Sequence, residues 1–375
     1  MLLAMLTTLI ITIFFGPFFI RKLYELKIGQ PIRTKEECPH LAELHSKKKN
    51  TPTMGGILIL LSLTISLFLF MDLKNSFTWL LLLTMLSLGT IGAIDDFLKL
   101  KLKTSDGMRA KTKFVFQLLF ASFVALYLLV PTITNSISKI GIHPPIAKEL
   151  SISKTTKDKN ITTLSCKEYV SRFYVPFLKT PLFNLNMLLT FLLIIVTIVG
   201  SSNAVNLADG LDGLASGCLI LVALVLAIFA FLSNNIQIAR YLNIIYIEGS
   251  GEIAVFLVAL IGALLGFLWY NSFPAQMFMG DVGSLALGGI IGIVSVLLSR
   301  EILLALIGGI FVVEALSVII QVASYKYRNK KRVFLCSPLH HHFEYKGWAE
   351  TKVVMRFWIV GLILAIIGIA SLKFQ

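Results

Sequence analysis

Residues 183–232 read FNLNMLLTFLLIIVTIVGSSNAVNLADGLDGLASGCLILVALVLAIFAFL, and the reading of this stretch decides the fold. Two apolar runs, 183–202 and 213–232, each have about the 20 residues a helix needs to cross the hydrocarbon of a bilayer. Between them, Asn203 to Gly213 carries two carboxylates, Asp209 and Asp212, and two amides, Asn203 and Asn206. Ionisable groups at a membrane boundary are costly and mark function. The chain has eight aspartates, and five of them (Asp95, Asp96, Asp209, Asp212, Asp281) fall in three such loops. These loops are therefore expected to meet on one face of the membrane and form one site.

Composition agrees. The chain is 56% hydrophobic and 14% charged, with a mean hydropathy of +0.83. A soluble domain of 375 residues cannot hide that much apolar surface, so the class is a polytopic membrane protein. The formal charge of +14 would point to nucleic acid in a soluble protein; here it reads as basic cytoplasmic loops that hold the orientation, with no nucleic-acid partner. Four cysteines (Cys38, Cys166, Cys218, Cys336) lie far apart and make neither a metal site nor a disulfide framework. The first apolar run lacks a basic leader and a small-residue cleavage site, and reads as a retained helix.

Ten apolar spans follow, near 2–20, 54–71, 77–95, 114–131, 183–202, 213–232, 253–270, 284–299, 302–324 and 355–373, the eighth and ninth separated only by Ser299, Arg300 and Glu301. The expected fold is all-α, one domain over 1–375, with both termini on one side. Loops after the odd-numbered spans hold 21 lysines and arginines, and the opposite loops 11, eight of these in the long segment 132–182. Long loops count for little in orientation, so the richer side is cytoplasmic and the termini face outward, to the periplasm. Every polar motif falls on that cytoplasmic side, in loops near 21–53, 95–113, 203–213, 271–284 and 325–354. Segment 132–182, with short β-branched runs, is too small for an independent domain and reads as a hairpin or short helix on the outer face.

Each loop contributes different chemistry. Lys47-Lys48-Lys49-Asn50 leads into Thr51-Pro52-Thr53-Met54-Gly55-Gly56, where Pro52 and the glycine pair suit a tight turn. Lys48 and Thr53 suit phosphate oxygens; an ordinary basic cluster before a helix is the bland alternative. Asp95-Asp96 ends the third span, where repulsion and the helix dipole disfavour both charges. Lys99, Lys101 and Lys103 relieve this, or a divalent cation does. Lys99 stands where a DDxxD prenyltransferase would need its last aspartate, which argues against that class. Asp209 and Asp212, three apart, would share a face on a helical turn, although Asp212 also suits capping of the sixth span. DGLDG opens like the CDP-alcohol phosphotransferase signature, but the Ala-Arg and later aspartates are missing. In Asn271–Ser284, NSFPAQMFMGDVGS, Asp281 lies between Gly280 and Gly283 at a helix start, which suits a carboxylate holding Mg²⁺ beside phosphate oxygens. Phe278 offers a ring face to a base.

His340-His341-His342 diverge by about 100° per residue on a helix, so they do not all ligate one metal; one or two reach a phosphate as donors. Glu314, a carboxylate inside the ninth span, bonds a neighbouring helix or lines the membrane end of the site. Together the basic anchors, carboxylates, glycine turns and one aromatic suit Mg²⁺-dependent phosphoryl transfer between a water-soluble nucleotide and a lipid.

TPTMGG (Thr51–Gly56), the Asp95-Asp96 pair, NAVNLADGLDGLA (Asn203–Ala215), FMGDVGS (Phe278–Ser284) and PLHHHFE (Pro338–Glu344) resemble, in order and over nearly the whole chain, the phospho-N-acetylmuramoyl-pentapeptide-transferase family. The aspartate motifs are shared with the wider polyprenyl-phosphate N-acetylhexosamine-1-phosphate transferases; TPTMGG with three histidines resembles the muramoyl branch. Ten spans with outward termini is also that family's architecture. The resemblance implies transfer of phospho-N-acetylmuramoyl-pentapeptide from UDP-MurNAc-pentapeptide to undecaprenyl phosphate, giving lipid I and UMP, in the bacterial cytoplasmic (inner) membrane. It implies Mg²⁺ as cofactor with Asp281 as ligand, and Asp95, Asp96, Asp281 and His340 as catalytic. Lys48, Thr53, Lys99, Asn203, Asn206, Asp209, Asp212, Asn271, Phe278 and His341 would bind substrate, with Lys111 or Lys113 from the basic loop. Asn50 replaces the usual glycine and Ala208 a common threonine. A homodimer is compatible with this architecture.

A phosphate monoester has its second pKa near 6, so the lipid phosphate is mostly dianionic at pH 7 and leaves a base at Asp95 little proton to remove. Direct in-line attack on the β-phosphorus is preferred to a phospho-aspartate. Two other readings are a sister enzyme using UDP-N-acetylglucosamine and an anionic-solute transporter. A transporter places its charges near the midplane on broken helices, usually with internal repeats, and neither pattern is present.

Overall fold

The computed structural model describes residues 1–25, 48, 51–102, 107–139, 141–152 and 159–373. Lys47, Lys49, Asn50, Lys103 and Cys38 lie outside these residues. Nine described helices are long and apolar enough to cross a membrane: α1 (Leu2–Glu25), α3 (Ser76–Leu102), α4 (Ala110–Leu129), α7 (Met187–Ala208), α8 (Leu214–Ser233), α10 (Ser250–Asn271), α11 (Gly280–Leu297), α13 (Gly309–Tyr327) and α15 (Glu350–Ala370). The second expected span is the shorter α2 (Gly56–Phe70). The ninth divides at Gly308 into α12 (Glu301–Ile307) and α13. Short helices α5 (Pro131–Ser138), α6 (Cys166–Val170), α9 (Ile236–Tyr241) and α14 (Leu339–Tyr345) complete the set.

The centre of the bundle is α11, buried in all but its first two residues. It is rich in glycine because its neighbours come to backbone distance. A Cβ at Gly288 would lie 2.6 Å from the Ser201 carbonyl oxygen, and one at Gly292 would lie 3.0 Å from Ile198 Cα. Both contacts are with α7, while α3 packs on another side of α11. Within a bilayer no hydrophobic force draws helices together, so such close van der Waals approach carries the packing. At the periphery, α1 packs on α10 and α2 and exposes Leu2, Leu3, Leu6, Ile10, Phe14 and Phe18. That surface suits lipid.

The expectation of an all-α fold is corrected at one end. Strand β1 (Ile146–Ile152) pairs antiparallel with β2 (Lys159–Leu164), with Ala147 opposite Leu164. A later strand, β5 (Tyr246–Glu248), joins the other edge of β1, with Ile247 opposite Ala147. A second small hairpin pairs β3 (Arg172–Phe173) with β4 (Phe183–Asn184). The hairpin matches the β-branched runs, whereas β5 is three residues long and has no pattern of its own. Contacts tie this cap to the helix ends: Ser299 Oγ donates to the Tyr169 carbonyl at 3.1 Å, and Asn75 Nδ2 donates to that of Gly249 at 3.1 Å. The polar motifs gather at the opposite end.

Candidate active site

Two helices run further than their apolar runs. The α3 helix continues to Leu102, so Asp95 and Asp96 lie two turns inside it and not at its C-terminus. The dipole penalty expected for them does not arise, and the helix places Lys99 one turn on. Lys99 Nζ lies 2.7 Å from Asp95 Oδ2 and 3.7 Å from Asp96 Oδ1. Likewise α7 runs to Ala208, so Asn203 and Asn206 are helical residues.

Asp281 comes from the first turn of α11. Three backbone hydrogen bonds fix the approach to it: Phe278 N–H to Pro52, Gly55 N–H to Phe278 and Gly56 N–H to Met279, each 2.8 Å. The tight turn sits one residue before the glycine pair, at Met54, whose φ is 72°. Where α3 meets α11, a Cβ at Gly92 would lie 2.2 Å from the Asp281 carbonyl oxygen, which brings the Asp95 pair beside Asp281.

One carboxylate oxygen from each of Asp95, Asp96 and Asp281 lies within 4.8 Å of the other two. Two ammoniums thread them: Lys113 Nζ is 2.6 Å from Asp281 Oδ2 and 3.1 Å from Asp95 Oδ2, and Lys99 is 3.1 Å from Asp281 Oδ2. Backbone donors complete the shell, Met108 N–H to Asp95 Oδ1 at 2.7 Å and Val282 N–H to Asp96 Oδ2 at 3.2 Å. Thr53 is buried close by, since a Cβ at Gly280 would touch both Thr53 Oγ1 and Asp96 Oδ2. Lys111 is exposed, so of the two candidate lysines it is Lys113 that reaches the cluster.

Three carboxyl groups outnumber the two ammoniums. Asp95 Oδ2 is buried and takes no directed hydrogen bond among the described residues, even with both ammoniums near. Among the described residues the donor set is all oxygen, without thiolate or imidazole. It fits a hard divalent cation.

The Asp209–Gly213 segment is a turn and not a helix, so Asp209 and Asp212 do not share a helical face. Asp209 belongs to the cluster's field: burial, then the carboxylates of Asp281, Asp96 and Asp212, push its carboxyl up to about 8. Asp212 faces the other way and does not cap α8, whose N-terminus has no side-chain cap. Asp212 Oδ1 pairs with Lys48 Nζ at 2.6 Å, and Oδ2 accepts the Ala275 N–H at 3.0 Å.

Glu350, which carried no motif, holds this second cluster together. Its Oε1 lies 2.6 Å from Lys48 Nζ and accepts the Asp212 N–H at 2.9 Å. Lys48 Nζ also lies 5.9 Å from the centre of the Phe278 ring. Asn271 secures the loop, accepting from Gly213 N–H and Ser216 Oγ at 3.1 Å each and donating to the Met277 carbonyl at 3.0 Å.

The remaining candidates divide. Asn203 Nδ2 bonds to Gln117 Oε1 and the Val199 carbonyl, both at 2.8 Å, a tie within the bundle. Asn206 Nδ2 is buried and has no hydrogen-bond partner among the described residues. His340 and Glu314 are both buried and in contact, with the His340 N–H on Glu314 Oε1 at 3.1 Å. His341 Nδ1 faces Glu344 Oε2 at 2.7 Å. His342 Nδ1 accepts the Leu335 N–H at 3.1 Å, and burial with the nearby Lys346 holds its ring below the ordinary histidine pKa.

Residues 78–299, more than half the chain, match the family model described as Glycosyl transferase family 4. Residues 48–60 match Phospho-N-acetylmuramoyl-pentapeptide-transferase signature 1, the stretch that runs from Lys48 through the Thr51–Gly56 turn. A protein of Protochlamydia amoebophila named phospho-N-acetylmuramoyl-pentapeptide-transferase is 58% identical over 384 aligned residues, covering 100% of this chain and 93% of its own. Proteins of that name from Endomicrobium trichonymphae and Desulfotalea psychrophila are 47% and 45% identical, each over 99% of this chain and 92% of its own length. The chain belongs to the phospho-N-acetylmuramoyl-pentapeptide-transferase family.

Proposed function

We propose that this protein transfers phospho-N-acetylmuramoyl-pentapeptide from its UDP carrier to undecaprenyl phosphate, releasing UMP and forming lipid I. The observation that carries this reading is the convergence of Asp95, Asp96 and Asp281 with Lys99 and Lys113 at one end of a membrane bundle. A nucleotide from water and a phosphate on a lipid can both reach such a place. The basic loops put this end at the cytoplasm. The α2 helix joins the nine longer helices to make ten spans, with the termini outward in the bacterial inner membrane.

Asp281, Asp95 and Asp96 would hold Mg²⁺, which when bound neutralises charge on the diphosphate. Lys99 and Lys113 sit between the carboxylates and supply cations to the same oxygens, which brings two anionic substrates together without mutual repulsion. Asp95 already accepts Met108 N–H at Oδ1 and lies beside two ammoniums at Oδ2, so a backbone donor and cations already face both its oxygens. The lipid phosphate is itself a dianion at neutral pH, so it attacks the β-phosphorus directly. Lys48 and Phe278 form the nucleotide end, with the ring available to the base, while Thr53, Asp209 and His340 face the diphosphate.

The test is UMP release by purified protein from UDP-MurNAc-pentapeptide, with and without Mg²⁺ and undecaprenyl phosphate. Release that needs both supports the reading. Release that proceeds with UDP-N-acetylglucosamine in place of the muramoyl substrate overturns it. A phosphorylated Asp95 trapped without lipid phosphate overturns the direct attack.

A further inference from the structure

Glu314 is a fully buried carboxylate in the middle of α13, and a charge there is costly unless it does something. Both its oxygens are turned on one residue. Oε1 accepts the backbone N–H of His340 at 3.1 Å, and Oε2 lies 3.2 Å from His340 Nδ1. A carboxylate offers acceptors, so the ring nitrogen that faces it is the one bearing hydrogen. His340 is therefore gripped at backbone and ring together, with its orientation and its Nδ1–H fixed.

The other ring nitrogen has no such partner. His340 Nε2 is buried and makes no hydrogen bond among the described residues. It points at the Asp209–Gly213 turn: a Cβ at Gly210 would lie only 2.3 Å from it. The absence of a side chain at Gly210 is what leaves room for the ring. Unpaired buried polar atoms are rare in folded proteins and call for an explanation, and this one lies beside the turn that carries Asp209.

We propose that Glu314 is a positioning residue that fixes the His340 ring through its backbone N–H and Nδ1, so that Nε2 is aimed at Gly210, where it meets a phosphate oxygen of the bound nucleotide sugar. A neutral ring with hydrogen on Nδ1 would show that oxygen a lone pair and repel it. In that complex an acceptor oxygen faces each ring nitrogen, Glu314 at Nδ1 and the phosphate at Nε2, so the ring donates from both and the contact is charge-assisted at both ends. The proposal rests on the reading that the carboxylate cluster is the diphosphate site, and it adds to that site a residue from the membrane interior of α13.

The experiment is a double-mutant cycle in the full-length protein with Glu314→Gln and His340→Gln. Glutamine at 314 retains the size and an acceptor for the His340 N–H, so folding is preserved; a melting temperature in detergent checks this. Each single variant is expected to lower kcat for UMP release by about tenfold or more, with the double variant within about twofold of the worse single, as residues acting as one unit behave. Losses that multiply in the double variant, or a Glu314→Gln variant with lowered melting temperature and unchanged kcat, overturn the positioning role. If His340→Gln cripples the enzyme while Glu314→Gln does not, this inference alone falls. If His340→Gln is fully active, the placement of His340 at the diphosphate falls with it.

Discussion

Lys113 and Asp281, 168 residues apart in the chain, meet at 2.6 Å, and the same ammonium lies 3.1 Å from Asp95. One cation thus bridges α4, α3 and the start of α11. Asp281→Asn removes one of the two carboxylates that contact both lysines and leaves Lys99 and Lys113 to Asp95 and Asp96. UMP release should fall by at least about 100-fold, the scale of losing one preorganised electrostatic group in an active site. The protein should remain in the membrane at normal amount. Wild-type rates measured across a Mg²⁺ titration beside those of the variant check this, and normal turnover by the variant removes Asp281 from the site.

The second cluster predicts a different kinetic signature. Lys48 is shared between Asp212 and Glu350 at 2.6 Å each, away from the three-carboxylate group and over the Phe278 ring. Glu350→Gln leaves Lys48 one charged partner and weakens its hold near that ring. KM for the UDP substrate should rise by about tenfold with kcat changed much less, the mark of lost uniform binding. Steady-state kinetics with the UDP substrate varied at saturating lipid phosphate decide it; a pure kcat loss would place Glu350 with the chemistry instead.

Much of this architecture is legible in the sequence, because the bilayer imposes long apolar runs and concentrates the few carboxylates into informative loops. Helix ends are less legible. Hydropathy stops at Asp95 and at Ser202, whereas the backbone hydrogen bonding continues to Leu102 and Ala208, because polar residues beyond the apolar run still find partners there. The choice between Lys111 and Lys113 was open for a related reason. Two residues on a helix are about 200° apart, and nothing local says which side faces α3. Glu350 carries no motif and gains its role from contacts 302 and 138 residues away. Strand β5 exists because β1 offers an edge, not because three residues prefer to be extended.

The packing of α11 on α7 makes a stability prediction with a built-in control. A Cβ at Gly292 would meet Ser201 Oγ at 2.2 Å and Ile198 Cα at 3.0 Å, and the backbone cannot yield as a flexible side chain can. Gly292→Val should lower the melting temperature in detergent by an amount corresponding to about 1–3 kcal/mol, the cost of overpacking a filled interior. Gly200→Ala, at a position with nothing within 4 Å, should melt at or slightly above the wild-type temperature.

The field of the cluster at Asp209 gives a pH signature. Burial and the carboxylates of Asp281, Asp96 and Asp212 raise its carboxyl to about 8, above the ordinary aspartate value near 3.9 that it has when unfolded. Between those two values the folded state binds the extra proton, so raising the pH through that window costs stability. Below the lower value both states are protonated, and above the upper value the penalty is constant. Asp209→Asn has no such group. Its melting temperature relative to wild type, measured in EDTA, should therefore climb steadily from about pH 5 to about pH 8 and then level off. A difference that stays flat across this range, or one that shrinks as the pH rises, contradicts the assigned field. Added Mg²⁺ should flatten the same curve, since a cation among Asp95, Asp96 and Asp281 offsets the negative charge that raises the Asp209 pKa.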